Sequence, residues 1–248
     1  MTWMSYESFF HSATGVSPYP YQVCLATQGE WPELLNVPTG AGKTEAALLA
    51  WLWRRRFHAD EGVRSCTPRR LVYCLPVRTL VEQTRRRTVK CLAGLGLAAS
   101  GTGDDQGAGE GAVAVHVLMG GEASDDWLLA PAADAVIIGT QDMLLSRALN
   151  RGYGLSRFRW PASFGLLNND ALWVLDEVQL MGSGLATSAQ LAAFRETLGT
   201  AGSCRTMWMS ATARPEWLET VDHPAPGRGG VMTLSIQDRE APPLARRL

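Results

Sequence analysis

Short runs of apolar residues alternate along the chain with segments whose apolar residues recur at helical spacing. Most of the runs are apolar at successive positions, which is typical of parallel strands that are buried on both faces. The predicted strands span residues 33–37, 70–76, 112–118, 134–140, 171–177, 204–212 and 231–236. The helical spacing predicts helices over 43–57, 79–92, 141–149, 184–198 and 215–221. This repeated order predicts an α/β fold with a mainly parallel sheet flanked by helices.

The length and composition are those of one large globular domain. The chain has 248 residues, of which 46% are hydrophobic and 19% charged, so it can bury a sizeable core. Its longest apolar run, residues 46–53, is too short to cross a bilayer, and its first residues lack a signal-peptide pattern. The five cysteines are scattered without a C-x-x-C pair, which predicts reduced thiols in a cytoplasmic protein.

Charge is uneven along the chain, although the net charge is only −1. Between Arg54 and Lys90 the chain has 11 basic and three acidic residues. This block is either a face that follows phosphates or a solvated helix face. Lys43 and Lys90 are the only lysines among the 23 basic residues, so a lysine in the glycine-bearing turn at 40–43 needs a specific explanation.

The segment NVPTGAGKTEA, residues 36–46, joins a predicted strand to a predicted helix. Gly40 and Gly42 let backbone N–H groups curl around phosphates, and the helix N-terminus adds partial positive charge. The slim ammonium of Lys43 can reach the β and γ phosphates, and the Thr44 hydroxyl can ligate Mg²⁺. Val37 replaces the first glycine of the full phosphate-loop pattern. The segment predicts a site for ATP and Mg²⁺, and the alternative is a chance match in a turn.

The segment ALWVLDEVQLMG, residues 171–182, places two acidic residues at the carboxyl end of a predicted buried strand. Ligands of open α/β sheets lie outside the carboxyl ends of the strands, where the phosphate loop also lies. We expect Asp176 to hold Mg²⁺ and Glu177 to polarise the attacking water. The alternative is that Asp176 caps the next helix.

In this order, the motifs resemble the first RecA-like lobe of superfamily 2 helicases of the DEAD/DEAH type. YPYQ, which ends at Gln22, lies where that family has an adenine-reading glutamine. LPVRTLVEQT (75–84) resembles the P-T-R-x-L-x-x-Q segment with Val77 replacing Thr, and GTQDMLL (139–145) resembles the Ib-type segment. DEVQ (176–179) occupies the DEAD/DEAH position, and SAT (210–212) is similar to motif III. The resemblance implies a RecA-like P-loop NTPase that hydrolyses ATP and binds nucleic acid.

The same resemblance implies roles for individual residues. The implied ATP contacts are Gln22, Thr39, Gly40, Ala41, Gly42, Lys43 and Thr44, with Lys43 and Glu177 catalytic and Thr44 and Asp176 at the metal. The implied DNA contacts are Arg78, Thr79, Gly120, Gly121 and Thr140. A surface charge and an ordinary turn are the alternatives for Arg78 and for the glycine pair. Ser210 and Thr212 would couple nucleotide state to strand separation, with strand-end capping as the alternative. The arginines at 85–87 are expected to form a solvated helix face.

The longer stretch from Gly139 to Gly182 resembles the helicase–nuclease of CRISPR type I interference, in a subtype with Gln in place of the histidine of DEAH. That resemblance implies movement on single-stranded DNA displaced by an RNA-guided surveillance complex, with a His-Asp metal nuclease in cis or in trans. The histidines are His11, His58, His116 and His223; none forms a His-Asp pair, so no nuclease is predicted within the chain. The alternatives are a generic superfamily 2 RNA or DNA helicase and a truncated, non-catalytic nucleic-acid-binding module.

Residues 1–248 are expected to form a single RecA-like helicase lobe, with 222–248 as a candidate start of the linker to a second lobe. In this superfamily ATP lies between two lobes, and the second lobe supplies an arginine finger that stabilises charge on the transferred phosphoryl group. We therefore expect these residues alone to bind ATP weakly and to hydrolyse it slowly.

Overall fold

The computed structural model describes residues 5–98, 111–120, 122–123, 125–152 and 154–240. Its strands are β1 (Leu34–Asn36), β2 (Arg70–Leu75), β3 (Ala114–Met119), β4 (Glu122–Ala123), β5 (Ala135–Thr140), β6 (Ala171–Asp176), β7 (Cys204–Ser210) and β8 (Val231–Thr233). Its α-helices are α1 (Tyr6–Thr14), α2 (Pro20–Thr27), α3 (Lys43–Leu52), α4 (Glu61–Cys66), α5 (Arg78–Gly94), α6 (Gln141–Ala148), α7 (Trp160–Asn168), α8 (Ser183–Leu198) and α9 (Ile236–Glu240).

The strands form one sheet in the order β4-β3-β5-β2-β6-β7-β1-β8. Neighbouring strands are parallel, except that the two-residue β4 runs antiparallel to β3. Parallel neighbours require crossover connections, and here helices supply most of them. The predicted α/β fold with a mainly parallel sheet flanked by helices is therefore confirmed.

The two faces of the sheet bury separate apolar clusters. Leu71 and Tyr73 of β2 belong to the cluster that includes α1, α2, α3 and α5. Val72 and Cys74 belong to the cluster that includes α6, α7 and α8. Because successive side chains of a strand point to opposite faces, a strand covered on both faces is apolar at nearly every position. This explains why β2, β5 and β6 were visible in the sequence as uninterrupted apolar runs.

Several helices differ from the prediction. Helices α1, α2, α4, α7 and α9 lie where none was predicted, and the helix predicted over 215–221 is a 3₁₀ helix, Pro215–Leu218. The strand predicted over 231–236 ends at Thr233, and α9 begins at Ile236. Helix α3 ends at Leu52, and a π-helical turn, Trp53–Phe57, follows it. These elements are short, so their periodic segments are brief and easily missed. Helix α1 nevertheless carries the helical spacing that the prediction overlooked, because Tyr6, Phe9, Phe10 and Ala13 are buried on one face. None of the helices in the described ranges combines the length and apolar character that a bilayer crossing requires.

Candidate nucleotide site and nucleic-acid face

The loop between β1 and α3 turns sharply at the carboxyl edge of the sheet. Gly40 and Gly42 have φ values of 84° and 78°, a left-handed conformation that glycine adopts without steric cost. Gly42 directly precedes α3, so the unpaired N–H groups of the first helical turn begin at the loop. The Val37 N–H donates to the Ser210 carbonyl at 2.9 Å, which ties the loop to β7. A loop of this kind at a helix N-terminus is suited to bind an anion.

Two side chains of α2 hold the loop in place. The Tyr21 hydroxyl donates to the Ala41 carbonyl at 2.6 Å, and the Gln22 amide nitrogen donates to the Gly42 carbonyl at 3.0 Å. The Gln22 side-chain oxygen accepts from the Tyr19 N–H at 2.9 Å. Gln22 therefore supports the phosphate loop in this conformation, a role that the sequence did not predict, and its adenine contact stays a prediction. Tyr21 was also missed, although it adjoins Gln22 in the quoted YPYQ segment.

Lys43 lies between the phosphate loop and the acidic residues. Its Nζ donates to the Val37 carbonyl at 3.2 Å and lies 3.5 Å from Glu177 Oε1. The side chain is only 6% exposed. An ammonium has three N–H donors, so these two acceptors leave one donor for a phosphate oxygen.

Asp176 is a buried carboxylate with two hydrogen bonds. Its Oδ2 accepts from the Tyr73 hydroxyl at 2.8 Å, and its Oδ1 accepts from the Glu177 N–H at 2.9 Å. Burial raises the pKa of Asp176, whereas the Lys43 charge and the Tyr73 hydrogen bond lower it. The helix-cap alternative is not seen, because Glu177 precedes the following 3₁₀ helix and no side chain caps that helix. Tyr73 could not be identified from the sequence, because it resembles any aromatic residue in a buried strand.

Glu177 begins a chain of side-chain hydrogen bonds that reaches the SAT segment. Gln179 Nε2 donates to Glu177 Oε2 at 2.5 Å, and the Ser210 hydroxyl donates to Gln179 Oε1 at 2.8 Å. The Ser210 oxygen also accepts from the N–H groups of Thr212 and Ala213, each at 3.0 Å. Ser210 thus both caps its strand end and contacts the acidic motif. Glu177 has a φ of 54°, a conformation that is rare for a residue with a side chain and that is often found at functional sites.

A cavity of about 530 Å³ opens beside these groups. Its inner wall comprises Thr39, Gly40, Gly42, Lys43, Thr44, Asp176 and Glu177. On its outer wall lie Arg87 and Lys90 of α5, so both lysines of the chain line one cavity. Arg87 belongs to the exposed run predicted as a solvated face, and its Nη1 also lies 3.8 Å from Oε1 of Glu45 in α3. Nothing in the sequence connects Lys90 with Lys43.

The oxygen groups in the cavity fit a magnesium ion whose remaining ligands come from the phosphates of a nucleotide and from water. Thr44 and Asp176 both line the inner wall. Within the described ranges, no group of three or more His, Cys, Asp or Glu side chains could hold a metal ion. Mg²⁺ typically takes one or two carboxylates together with water and substrate phosphates. The residues present are therefore of the kind that binds Mg²⁺ jointly with ATP.

The candidate nucleic-acid residues lie at or just after the carboxyl ends of β2, β3 and β5, which are neighbours in the sheet. The Arg78 guanidinium lies against Gly120, so that a Cβ added at Gly120 would be 2.9 Å from Arg78 Nη2. Thr79 is exposed, and Thr140, at the end of β5, is 8% exposed. Gly121 lies outside the described residues. The remaining candidates therefore line the carboxyl edge of the sheet, the same edge as the nucleotide cavity.

Comparison with known proteins gives one family. The model of the DEAD/DEAH box helicase family matches residues 24–221, most of the chain. The search of curated proteins found no match.

Solved helicase structures share the fold at low sequence identity. Mycobacterium smegmatis helicase Lhr, bound to single-stranded DNA and AMP-PNP, has a TM-score of 0.59 at 20% identity over 94% of this chain and 27% of that chain. The DUF1998 helicase MrfA, bound to DNA, has a TM-score of 0.59 at 16% identity over 96% and 30%. Saccharomyces cerevisiae Dbp5, bound to RNA and ADP BeF3, has a TM-score of 0.53 at 15% identity over 93% and 49%. The chain spans less than half the length of each of these proteins.

Proposed function

The chain belongs to the DEAD/DEAH box helicase family, and on that basis we propose that it is the first RecA-like lobe of a superfamily 2 motor that hydrolyses ATP and moves on nucleic acid. The observation that carries this proposal is the cavity in which Lys43, the phosphate loop and the acidic pair meet. This arrangement combines an anion site with a carboxylate pair, as phosphoryl transfer to water requires.

Within this proposal the residues in and beside the cavity have defined tasks. Lys43 and the loop N–H groups bind the β and γ phosphates, and Gln22 reads the adenine. Thr44 and Asp176 hold Mg²⁺, which would offset the negative charge that develops during phosphoryl transfer. Glu177 accepts a proton from, or orients, the attacking water. Full turnover would need a second lobe to supply the opposing half of the site.

Nucleotide state would reach the nucleic-acid face through the path Glu177–Gln179–Ser210. A change in the hydrogen bonding of Glu177 on hydrolysis would alter the contacts of Ser210 and Thr212, since Gln179 is hydrogen-bonded to both Glu177 and Ser210. Arg78, Thr79, Gly120, Gly121 and Thr140 would contact the sugar-phosphate backbone of a single strand. Phosphate contacts of this kind position a strand without reading its sequence.

A narrower role is also proposed, from the resemblance of the stretch from Gly139 to Gly182. The lobe would act in CRISPR antiviral interference, on single-stranded DNA displaced by an RNA-guided surveillance complex, with a second lobe and a His-Asp nuclease in cis or in trans. The matched family and the solved structures favour the broader proposal, a superfamily 2 lobe for RNA or DNA, more directly. A Lys43→Ala chain that supports full plasmid interference, with the other components supplied, would instead favour a non-catalytic module.

The two lysines allow a matched test of the nucleotide site. Calorimetric titration with an ATP analogue and Mg²⁺ should show that Lys43→Ala weakens binding by about 10- to 100-fold, the effect of one charge-assisted hydrogen bond. Lys90→Ala removes the same charge from the outer wall, and its affinity for the ATP analogue should stay within about two-fold of that of the parent chain. Equal losses for the two variants would contradict a specific phosphate contact by Lys43.

The nucleic-acid face is tested by salt dependence. Arg78→Ala should reduce the slope of the logarithm of the binding constant against the logarithm of salt by about 0.7, the value for one phosphate contact on a single strand. Arg85→Ala, on the exposed part of α5, is the control and should leave the slope unchanged. An unchanged slope for Arg78→Ala would remove Arg78 from the site.

A further inference from the structure

At the amino edge of the sheet, opposite the phosphate loop, one strand is much shorter than its neighbour. Strand β1 has three residues and β7 has seven. Their register pairs Leu34 with Trp208, so residues 204–207 of β7 extend past the start of β1. On the other side these residues pair with β6. A cavity of about 510 Å³, here called the slot, lies along this edge and is lined by Cys204, Arg205, Thr206 and Trp208.

The backbone groups of Cys204 and Thr206 face the slot. The Ala171 N–H donates to the Ser203 carbonyl, which places odd-numbered residues of β7 on the β6 side. The Trp208 N–H donates to the Glu33 carbonyl, which places even-numbered residues on the β1 side. In the part of the chain that the structure describes, no backbone group pairs with the N–H or C=O of Cys204 or Thr206 on that side. An unpaired strand edge is a template for an added strand.

The walls of the slot belong to the two helical layers that cover the sheet. Arg54, which follows α3, and Trp31 line it on one side, and Ala192 and Glu196 of α8 line it on the other. Elsewhere the sheet itself fills the space between these layers. An extended chain in the slot would therefore lie in the plane of the sheet, with alternate side chains toward each wall.

Arg54 lines the slot as a buried cation that lacks a counter-ion among the described residues. It is 5% exposed, its Nη2 donates to the Gly29 carbonyl, and its guanidinium lies 4.4 Å from the centre of the Trp31 ring. Its Nε and Nη1 are buried and have no hydrogen-bond partner within the described ranges. Burial also lowers the pKa of this guanidinium. A carboxylate is the group that best compensates such a cation, because its two oxygens can accept from guanidinium donors.

His223 is the second buried polar group of the slot without a complete set of partners. It is 5% exposed and packs edge-on against Trp208, with ring centres 5.2 Å apart. Its Nδ1 is buried and has no partner among the described residues, while its Nε2 lies 3.9 Å from Glu33 Oε2. The slot therefore presents unpaired groups from a strand edge, an arginine and a histidine. Buried polar groups normally have partners, so this combination indicates a missing ligand.

We propose that the slot receives an extended segment of a partner protein, which adds as a strand beside Cys204–Met207 and presents an Asp or Glu side chain to Arg54. Main-chain hydrogen bonds to Cys204 and Thr206 supply affinity, and the carboxylate contact supplies selectivity. The slot also carries acidic side chains, namely Glu30, Glu33, Asp60 and Glu196. Basic residues are therefore expected on either side of the acidic one. The slot gives the lobe an attachment point on the edge away from ATP and nucleic acid.

The probe for this proposal is a phage-displayed library of random nine-residue peptides, selected on the full 248-residue chain. Enriched peptides should share one Asp or Glu at a fixed position with basic residues nearby. As synthetic peptides they should bind about ten-fold or more weakly to Thr206→Pro and to Arg54→Met. Proline at 206 removes an N–H that faces the slot and leaves the ladder with β6 intact. Methionine at 54 keeps an aliphatic side chain and removes the charge.

Amide hydrogen exchange on the unsubstituted chain gives a readout that does not depend on either variant folding. A bound peptide should slow exchange at Cys204 and Thr206, whereas Arg205 and Met207, which already pair with β6, should not change. Circular dichroism shows whether the variants keep their fold.

The proposal is overturned by a library without enrichment, by peptides that lack an acidic residue, by equal binding to Thr206→Pro, or by unchanged exchange at Cys204 and Thr206. If sedimentation shows that the chain self-associates through the slot, the slot binds a second copy of the chain, and the proposal of a partner protein is also overturned. None of these results bears on nucleotide binding.

Discussion

Replacing Tyr73 with phenylalanine removes one hydroxyl beneath the nucleotide cavity and leaves the ring unchanged. Tyr73 is 1% exposed, and its hydroxyl donates to Asp176 Oδ2 at 2.8 Å. Because the acceptor is a charged, buried carboxylate, the loss should lower the free energy of unfolding by about 1.5–3 kcal/mol. With a urea dependence of about 3 kcal/mol per M, the unfolding midpoint should fall by about 0.5–1 M.

The size of this loss should depend on pH in a defined direction. Burial raises the pKa of Asp176 and the Tyr73 hydrogen bond lowers it, so Tyr73→Phe should raise it further. The hydroxyl favours the ionised carboxylate over the protonated acid. The difference in unfolding free energy between the two chains should therefore be largest above the pKa of Asp176 in the variant. It should shrink as the pH falls through that value toward the lower pKa of Asp176 in the parent chain.

Tyr6→Phe is the matched control for this experiment. Tyr6 is 3% exposed, and its hydroxyl is buried without a hydrogen-bond partner in the described part of the chain. Removing an unpaired buried hydroxyl should leave stability unchanged or slightly increase it. Urea unfolding followed by tryptophan fluorescence at several pH values measures both variants. Equal losses in the two variants, or a Tyr73→Phe loss that stays constant with pH, would refute a hydrogen bond to ionised Asp176.

Two further substitutions test the loop and the acidic motif. Gly42→Ala places a Cβ 2.9 Å from Gln22 Nε2 at a φ of 78°, so it should lower the unfolding free energy by about 1–3 kcal/mol and weaken ATP-analogue binding in calorimetry. Gly15→Ala is the control, because Gly15 has a φ of 79° with open space around it; this variant should lose stability and keep its affinity for the nucleotide. Equal affinity losses in Gly42→Ala and Gly15→Ala would contradict the loop assignment. Gln179→Glu replaces the donor to Glu177 with a second carboxylate, which should destabilise the chain by about 1 kcal/mol at pH 8. Unchanged stability of Gln179→Glu in urea unfolding at pH 8 would contradict the contact.

The sequence alone determined the fold class and the position of the glycine-bearing turn between β1 and α3. A parallel sheet covered on both faces requires strands that are apolar at successive positions, and that pattern is visible without coordinates. The segment around Lys43 is also local, because the strand end, the glycines and the helix start lie within a few residues of each other. The placement of Asp176 and Glu177 could be predicted for a similar reason, since both lie at the carboxyl end of one apolar strand; their roles stay predictions.

Tertiary structure alone decided which distant side chains meet. Tyr73 contacts Asp176 because β2 and β6 are neighbours in a sheet whose strand order the sequence does not state. In the same way, the fold brings Lys90 to the cavity of Lys43, and it leaves Arg54 beside an unpaired strand edge. A contact of this kind depends on the register and packing of elements far apart in the chain. Residue type and spacing reveal local chemistry, whereas these contacts exist only once the sheet has assembled.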